Sequence, residues 1–349
     1  MKEVKFTAFA DFHYKKGMYI PSVEDMDSIL DRAKADNADL VIHLGDMCND
    51  YIGSKELVNA YLDNKYGFAV YGLYGNHELE SENNSMPVVT PMLTNREVVW
   101  GTADGKIGDG TIAYYYFDTH GFRFVMTDTN YSWNPTKEEW EHNYTCSYGP
   151  PHGNTKICAL GPVQLAWLED VLTDAANKGI PCIVCSHIAF SGMWHSGPEH
   201  NEIREIFRKV NEIRKGTVLM AINGHLHTDH IGVRDNVVYF DVNTVRNGLW
   251  IPRVIKHYEN ETFTYTDYDA DGNALETKER LVNELWMSPQ TWYFTDALSS
   301  TITVREDGKI TIEGMETSWF ENVIPPNDCG FTNEPIISSR DFIPLEERE

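Results

Sequence analysis

The chain has 349 residues, 42% of them hydrophobic and 12% aromatic, with 29 Lys and Arg against 53 Asp and Glu, a formal net charge of −24. A chain of this length buries roughly three quarters of its unfolded surface, which excludes an acidic disordered tail. The excess negative charge repels polyphosphate backbones and anionic lipid, so it argues against a polymeric nucleic-acid or membrane-surface binder and for a small substrate.

Met1–Ala10 enters directly into alternating polar and apolar residues, without the basic-then-apolar pattern of a leader, so a cytoplasmic location is the expectation. That alternation predicts a strand over Val4–Ala10. A helix is predicted over Ser22–Asp36, with Ser22 as N-cap, Asp25 three residues later, and Met26, Ile29, Leu30 and Ala33 on one face. Short apolar runs at Leu40–Leu44, Phe68–Leu73, Ile180–Ser186 and Val218–Asn223 read as buried strands. Helical patterns at Glu56–Asn64, Val163–Ala176 and Glu199–Lys215 lie between most of them. Such alternation predicts parallel strands covered by helices.

One hairpin interrupts the scheme, Thr111–Asp118 and Phe122–Asp128 around Thr119, His120 and Gly121. Glu80–Gly110 and Asn130–Ala159 fit neither period and read as long functional loops, the second rich in Trp, Tyr, Asn and His. The longest apolar run, Val218–Ile222, falls far short of the roughly 18 residues of a membrane-spanning helix. Beyond about residue 250 the pattern turns β, with Thr301–Arg305 and Lys309–Glu313 flanking an Asp307–Gly308 turn. Residues 325–349, with Pro325, Pro326, Pro335 and Pro344, read as an extended arm. The expected division is therefore a catalytic unit at 1–250 and a β-rich extension at 251–349 packed on it. Of the six cysteines, Cys182 and Cys185 form a C-x-x-C inside a predicted strand. Residues three apart on a strand point to opposite faces, which makes these two buried thiols rather than a redox or zinc pair.

Five motifs each follow a predicted strand or apolar run: Asp11-Phe12-His13, Gly45-Asp46 with Asn49, Gly75-Asn76-His77-Glu78, Ser186-His187, and Gly224-His225-Leu226-His227. Ligands of open α/β sheets bind beyond the carboxyl ends of the strands, so the five can meet at one site. They offer two carboxylates, one amide oxygen and four imidazoles, with His77 and Glu78 beside them. Mixed imidazole and carboxylate donors suit Mn, Fe, Zn or Co rather than Ca or Mg. Seven donors are too many for one ion. If one carboxylate is shared, each of two ions receives four, the two-metal arrangement with ions roughly 3.5–4 Å apart that serves in-line displacement at phosphorus.

Each motif alone has a bland explanation. A lone histidine such as His187 is more often structural, G-N-H-E can be a turn, and histidines at i and i+2 share a strand face for packing reasons. Their joint occurrence in this order outweighs those explanations. Of the remaining histidines, His43 reads as core, His120 as a hairpin tip, and His142, His152, His200, His230 and His257 as solvated. Asn49, Trp194 and His195 are candidate contacts to substrate or to the ligands. Tyr131, Trp133, Trp140 and Tyr144 read as packing of their loop.

The motif set and its order resemble the calcineurin-like metallophosphoesterase superfamily over about residues 5–245, and Leu160–Leu168 resembles the helix that precedes the fourth motif in many members. The resemblance implies a four-layer α/β/β/α sandwich with a dinuclear centre. By motif, Asp11, His13, Asp46 and His227 would hold one divalent transition-metal ion, and Asp46, Asn76, His187 and His225 the other. Asp46 would be the bridge, His77 the non-ligand histidine at the leaving group, and Glu78 the residue that positions its ring. Two divalent ions against Asp11, Asp46 and a bridging hydroxide leave about +1, inverting the global sign of the chain. The implied activity is phosphoester hydrolysis by that hydroxide. At position 49 the purple acid phosphatase branch has a tyrosine, and the protein serine/threonine phosphatase branch has Asp-Arg where this chain has Asn49-Asp50. What remains resembles the bacterial phosphodiesterase and nucleotide-hydrolase branches, with Asn in place of their Asp. The expected substrate is thus a small phosphodiester or nucleotide-type pyrophosphate, with a phosphomonoester as runner-up. A non-catalytic scaffold of the same fold is disfavoured by the complete donor set, and oligomeric state is left open.

Overall fold

The computed structural model describes residues 1–14, 16, 21–48, 51, 53–79, 85–134, 136–142, 159–192, 197–246, 262–268, 274–281, 293–322 and 334–347. In chain order the elements begin with β1 (Glu3–Phe9), α1 (Val23–Ala35), β2 (Leu40–His43), α2 (Lys55–Leu62), β3 (Ala69–Gly72) and α3 (Met86–Val89). Next come β4 (Val99–Trp100), β5 (Tyr115–Thr119), β6 (Phe122–Met126), β7 (Tyr131–Asn134), β8 (Glu139–His142), α4 (Gly161–Lys178) and β9 (Cys182–Ser186). The series continues through α5 (His200–Ile213), β10 (Val218–Asn223), β11 (His230–Arg234), β12 (Val237–Asp241), β13 (Thr262–Tyr268) and β14 (Ala274–Leu281). It ends with β15 (Ser300–Arg305), β16 (Ile310–Glu313), β17 (Met315–Glu316), β18 (Ile336–Ile337) and β19 (Arg340–Phe342).

Two sheets form the middle of the molecule, a six-stranded one in the order β19-β16-β15-β1-β2-β3 and a seven-stranded one in the order β11-β12-β10-β9-β6-β5-β4. Strands β1, β2 and β3 run parallel, as do β6, β9, β10 and β12. Successive strand residues alternate faces, and the burial pattern follows. Val4, Phe6, Ala8, Leu40 and Ile42 meet Phe124, Ile183, Ile222 and Phe240 in the core between the sheets. Phe9, Val41 and Val70 on the other face of the first sheet pack under Met26, Leu30, Leu57 and Tyr61 of α1 and α2. Val125, Val184, Ala221 and Tyr239 likewise pack under Leu168, Leu172, Ile203 and Phe207 of α4 and α5. The result is the α/β/β/α sandwich. Cys182 faces the helices and Cys185 the inter-sheet core, both as free thiols.

Local signals act as expected at several boundaries. The Asp25 carboxylate accepts from the Ser22 backbone N–H at 2.8 Å, starting α1. Gly179, at φ +71°, ends α4 in the left-handed conformation. Two expectations need correction. The 80–110 stretch is not irregular throughout, since it holds α3 and the short β4, which pairs Trp100 with Tyr115. Within 130–159 the strands β7 and β8 form a hairpin whose Trp133 and Trp140 meet edge to face at 6.2 Å. Strands this short show no periodicity of their own; their cross-strand partners define them.

The C-terminal strands are part of the first sheet. Strand β15 lies antiparallel to β1 from Glu3–Arg305 to Ala8–Ser300, and β16 and β19 follow. The expected arm is extended only in part, because Ile336–Ile337 pairs with β17 and Arg340–Phe342 with β16. Among the described residues, no helix is long and apolar enough to cross a membrane.

Candidate metal centre

The parallel strands of both sheets end at a common rim. Asp11 and His13 follow β1, Asp46 follows β2, Asn76 and His77 follow β3, His187 follows β9, and His225 and His227 follow β10. The loop after β1 zips onto the loop after β2 through Asp11 N–H to Gly45 O at 3.1 Å and His13 N–H to Asp46 O at 2.8 Å. Across the two sheets, the His225 N–H donates to Asp11 Oδ2 at 2.8 Å. Thr244, beside β12, donates its hydroxyl to Asp11 O at 2.6 Å.

The side chains converge as three groups whose ligand atoms lie within 4.8 Å of one another: Asp11, His13 and His227; His13, Asp46 and His77; and Asp46, His187 and His225. Asp46 and His13 each belong to two of them, and Asp46 Oδ2 faces His187 Nε2 at 3.2 Å, His13 Nε2 at 3.7 Å and His77 Nε2 at 3.9 Å. Its Oδ1 accepts from the His77 backbone N–H at 2.9 Å. Asn76 Oδ1 lies 3.1 Å from His187 Nε2, which is 3.3 Å from His225 Nδ1. His187 Nδ1 donates to Leu44 O at 2.8 Å, which turns Nε2 toward the cluster. His13 Nε2 and His227 Nε2 face each other at 3.1 Å, and Asp11 Oδ1 is 3.4 Å from His227 Nε2. All of these side chains are buried except His225, which is half-buried.

The donors fit cations. Asp11 Oδ1 is buried with no hydrogen-bond partner among the described residues. Burial alone would raise the carboxyls of Asp11 and Asp46, yet the facing imidazoles, His227 for Asp11 and His187 for Asp46, hold both below the usual carboxylate range. Burial pushes the rings of His13 and His225 down to about 3, so they present lone pairs. Burial also opposes a charge on His187, but Asp46 and then Asp11 overcome it and lift that ring to about 10. A cluster that draws a proton this strongly calls for positive charge, which bound cations supply in a proton's place.

The backbone is strained where the donors sit. Asp11, His13, Asp46, His225 and His227 all have positive φ, between +51° and +71°. Non-glycine residues in this region cost energy and collect at functional sites. The loops also approach too closely for side chains at their glycines. A Cβ on Gly45 would fall 2.5 Å from His187 Nδ1, and one on Gly75 would fall 2.1 Å from Asp46 Oδ1. Glu78, expected to position the His77 ring, is fully buried and accepts from the Met47 and Gly75 backbone N–H groups.

The structure thus brings together Asp11, His13, Asp46, Asn76, His77, Glu78, His187, His225 and His227. Asn49, Trp194 and His195 lie outside the described residues, as do Tyr144, His152 and His257. His142 is not solvated as expected: it reaches Asp128 Oδ2 at 2.8 Å and its ring meets those of Tyr131 and Tyr74. His230 and His200 are half-buried, the first 3.0 Å from Asp241 Oδ2 and the second donating to Gly197 O. Thr244 was missed, because nothing in a sequence links a threonine to an aspartate 233 positions away.

A four-layer sandwich that gathers imidazoles and carboxylates at the carboxyl ends of strands from both sheets defines a class of metal-dependent phosphoester hydrolases. The chain belongs to the calcineurin-like phosphoesterase family, whose model matches residues 4–229. Among solved structures it is similar to a dimetal phosphatase from Danio rerio, at 16% identity over 91% of this chain and 99% of that one, with a TM-score of 0.57. It is also similar to GAP50, the anchor in the inner membrane complex of Plasmodium, at 11% identity over 97% and 90% of the two chains, with a TM-score of 0.44. A putative 5'-nucleotidase from Staphylococcus aureus is 16% identical over 80% and 54%, with a TM-score of 0.41. Identities this low express a likeness of fold alone. No curated protein matches the chain.

Proposed function

We propose that the protein hydrolyses a small phosphodiester or a nucleotide-type pyrophosphate at a centre of two divalent transition-metal ions. Family membership supports metal-dependent phosphoester hydrolysis. The observation that carries the two-ion reading is that Asp46 Oδ2 faces both His13 Nε2 at 3.7 Å, from a loop of the first sheet, and His187 Nε2 at 3.2 Å, from a loop of the second. Asp11, His13, Asp46 and His227 would hold one ion, and Asp46, Asn76, His187 and His225 the other, with manganese, iron or zinc matching the mixed donors. When bound, such ions activate water and offset charge on phosphate oxygens.

The protein's own groups then do the following. The Asp46 carboxylate is oriented by the His77 N–H on Oδ1, which leaves Oδ2 toward the cluster. The Nδ1–H of His187 is tied to Leu44 O, which fixes the ring. His77, whose ring meets that of His13 edge to face at 5.0 Å, is proposed to give a proton to the departing oxygen. Asn49, Trp194 and His195 are proposed to touch substrate or ligands. The catalytic unit is proposed as 1–250, with 251–349 as an extension whose β15 pairs with the strand leading to Asp11.

The test is reconstitution of the metal-free protein with Mn²⁺, Fe²⁺, Zn²⁺ or Co²⁺, followed by bound-metal counts and rates on bis-(p-nitrophenyl) phosphate and p-nitrophenyl phosphate. Two ions per chain and faster diester cleavage are expected. A single ion at full activity would refute the shared carboxylate, and faster monoester cleavage would favour a phosphomonoesterase.

A further inference from the structure

We propose that Glu78 is a positioning residue that straps the loop carrying Asp46 to the loop carrying Asn76, an inference that rests on the metal-centre reading above. Glu78 is fully buried. Its Oε1 accepts from the Met47 N–H and its Oε2 from the Gly75 N–H, both at 2.6 Å. Met47 directly follows Asp46, and Gly75 directly precedes Asn76. One carboxylate therefore holds the residue next to each of two donors on different strands.

The strap sets a tight spacing. A Cβ on Gly45 would fall 2.6 Å from Gly75 N, and one on Gly75 would fall 2.5 Å from Asp46 N, so the loops touch backbone to backbone. Across the same contact the His77 N–H donates to Asp46 Oδ1 at 2.9 Å. Two bonds of 2.6 Å to backbone donors on different loops fix both loops relative to one side chain. Each carboxyl oxygen accepts from one backbone N–H, whereas a glutamine would turn its NH2 toward one of the two N–H groups. Burial, and then the Asp46 carboxylate, push the Glu78 carboxyl up to about 8; the return for burying a polar group there is a fixed distance between Asp46 and Asn76. Outer partners of this kind typically govern metal affinity by 10- to 100-fold.

The experiment compares wild type, Glu78→Gln and Glu78→Asp as full-length metal-free proteins titrated calorimetrically with Zn²⁺ and Mn²⁺, together with kcat and KM on bis-(p-nitrophenyl) phosphate. Glu78→Gln is expected to unfold cooperatively, to bind metal about 10- to 100-fold more weakly, and to lose kcat with KM unchanged. Glu78→Asp, which keeps two acceptors, is expected to recover part of the affinity. Wild-type affinity and kcat in Glu78→Gln, or no advantage of Glu78→Asp over it, overturns the strap. Amide exchange in the wild type decides the matter even if both variants fail to fold. The Met47 and Gly75 amides are expected to exchange more slowly than their loop neighbours, and equal rates overturn the proposal. A wild type that binds no metal would instead overturn the centre itself.

Discussion

Thr244 offers the sharpest test of how the centre is held, because it touches no donor atom. It is fully buried, and its hydroxyl donates to the backbone carbonyl of Asp11, which sits at φ +53°. Thr244→Val removes this donor and leaves a buried acceptor short of one bond, a cost of ~1–3 kcal/mol. Relaxation of Asp11 out of the left-handed region returns ~1–2 kcal/mol. The metal-free protein should therefore lose no more than ~2 kcal/mol of stability in urea titration, the largest difference of these two terms. Metal binding must then restore the strained conformation, so Zn²⁺ affinity should fall by roughly 5- to 30-fold, the equivalent of ~1–2 kcal/mol. Thr244→Ser keeps the hydroxyl and should restore most of the affinity. Unchanged Zn²⁺ affinity in Thr244→Val, beside a stability loss above ~2 kcal/mol, would show that the hydroxyl merely supports the fold and would refute the reasoning.

Asp46→Ala should abolish both bound metal and turnover, measured by elemental analysis and ester hydrolysis; retained activity would contradict its shared role. His77→Ala should keep the wild-type metal count but lose most turnover, least on nitrophenyl esters, whose leaving group needs no proton; loss of an ion would make His77 a ligand, as its place beside His13 and Asp46 also permits. Trimming the 130–159 insertion should change the ranking of substrates more than metal content, and an unchanged ranking would separate it from the pocket. Arg246 pairs with the buried Asp25 and with Phe294 O. Arg246→Met should cost ~3–5 kcal/mol in chemical unfolding, since it strands a buried carboxylate; a loss under ~1 kcal/mol would show that water reaches Asp25.

Much of the architecture is legible in the order of residues because it depends on local signals. Parallel strands buried on both faces read as apolar runs, such as Leu40–Leu44 and Val218–Asn223, and helices announce themselves by caps and periodicity, as at Ser22–Ala33. The donor residues are legible for the same reason, since each stands directly after such a run, where a parallel strand must end. The alternation of strand faces also sufficed to separate Cys182 from Cys185.

Contacts between distant segments decided the rest. The pairing of β15 with β1, the Thr244 hydroxyl on Asp11, the arrival of His142 at Asp128, and the Glu78 bonds that join two loops all link positions whose proximity arises only once the sheets have formed. Periodicity and capping describe what a chain segment can do with its immediate neighbours. Which backbone carbonyl or amide a buried side chain meets depends on the stacking of whole layers, and that geometry is what sets left-handed Asp11 and Asp46 at the rim.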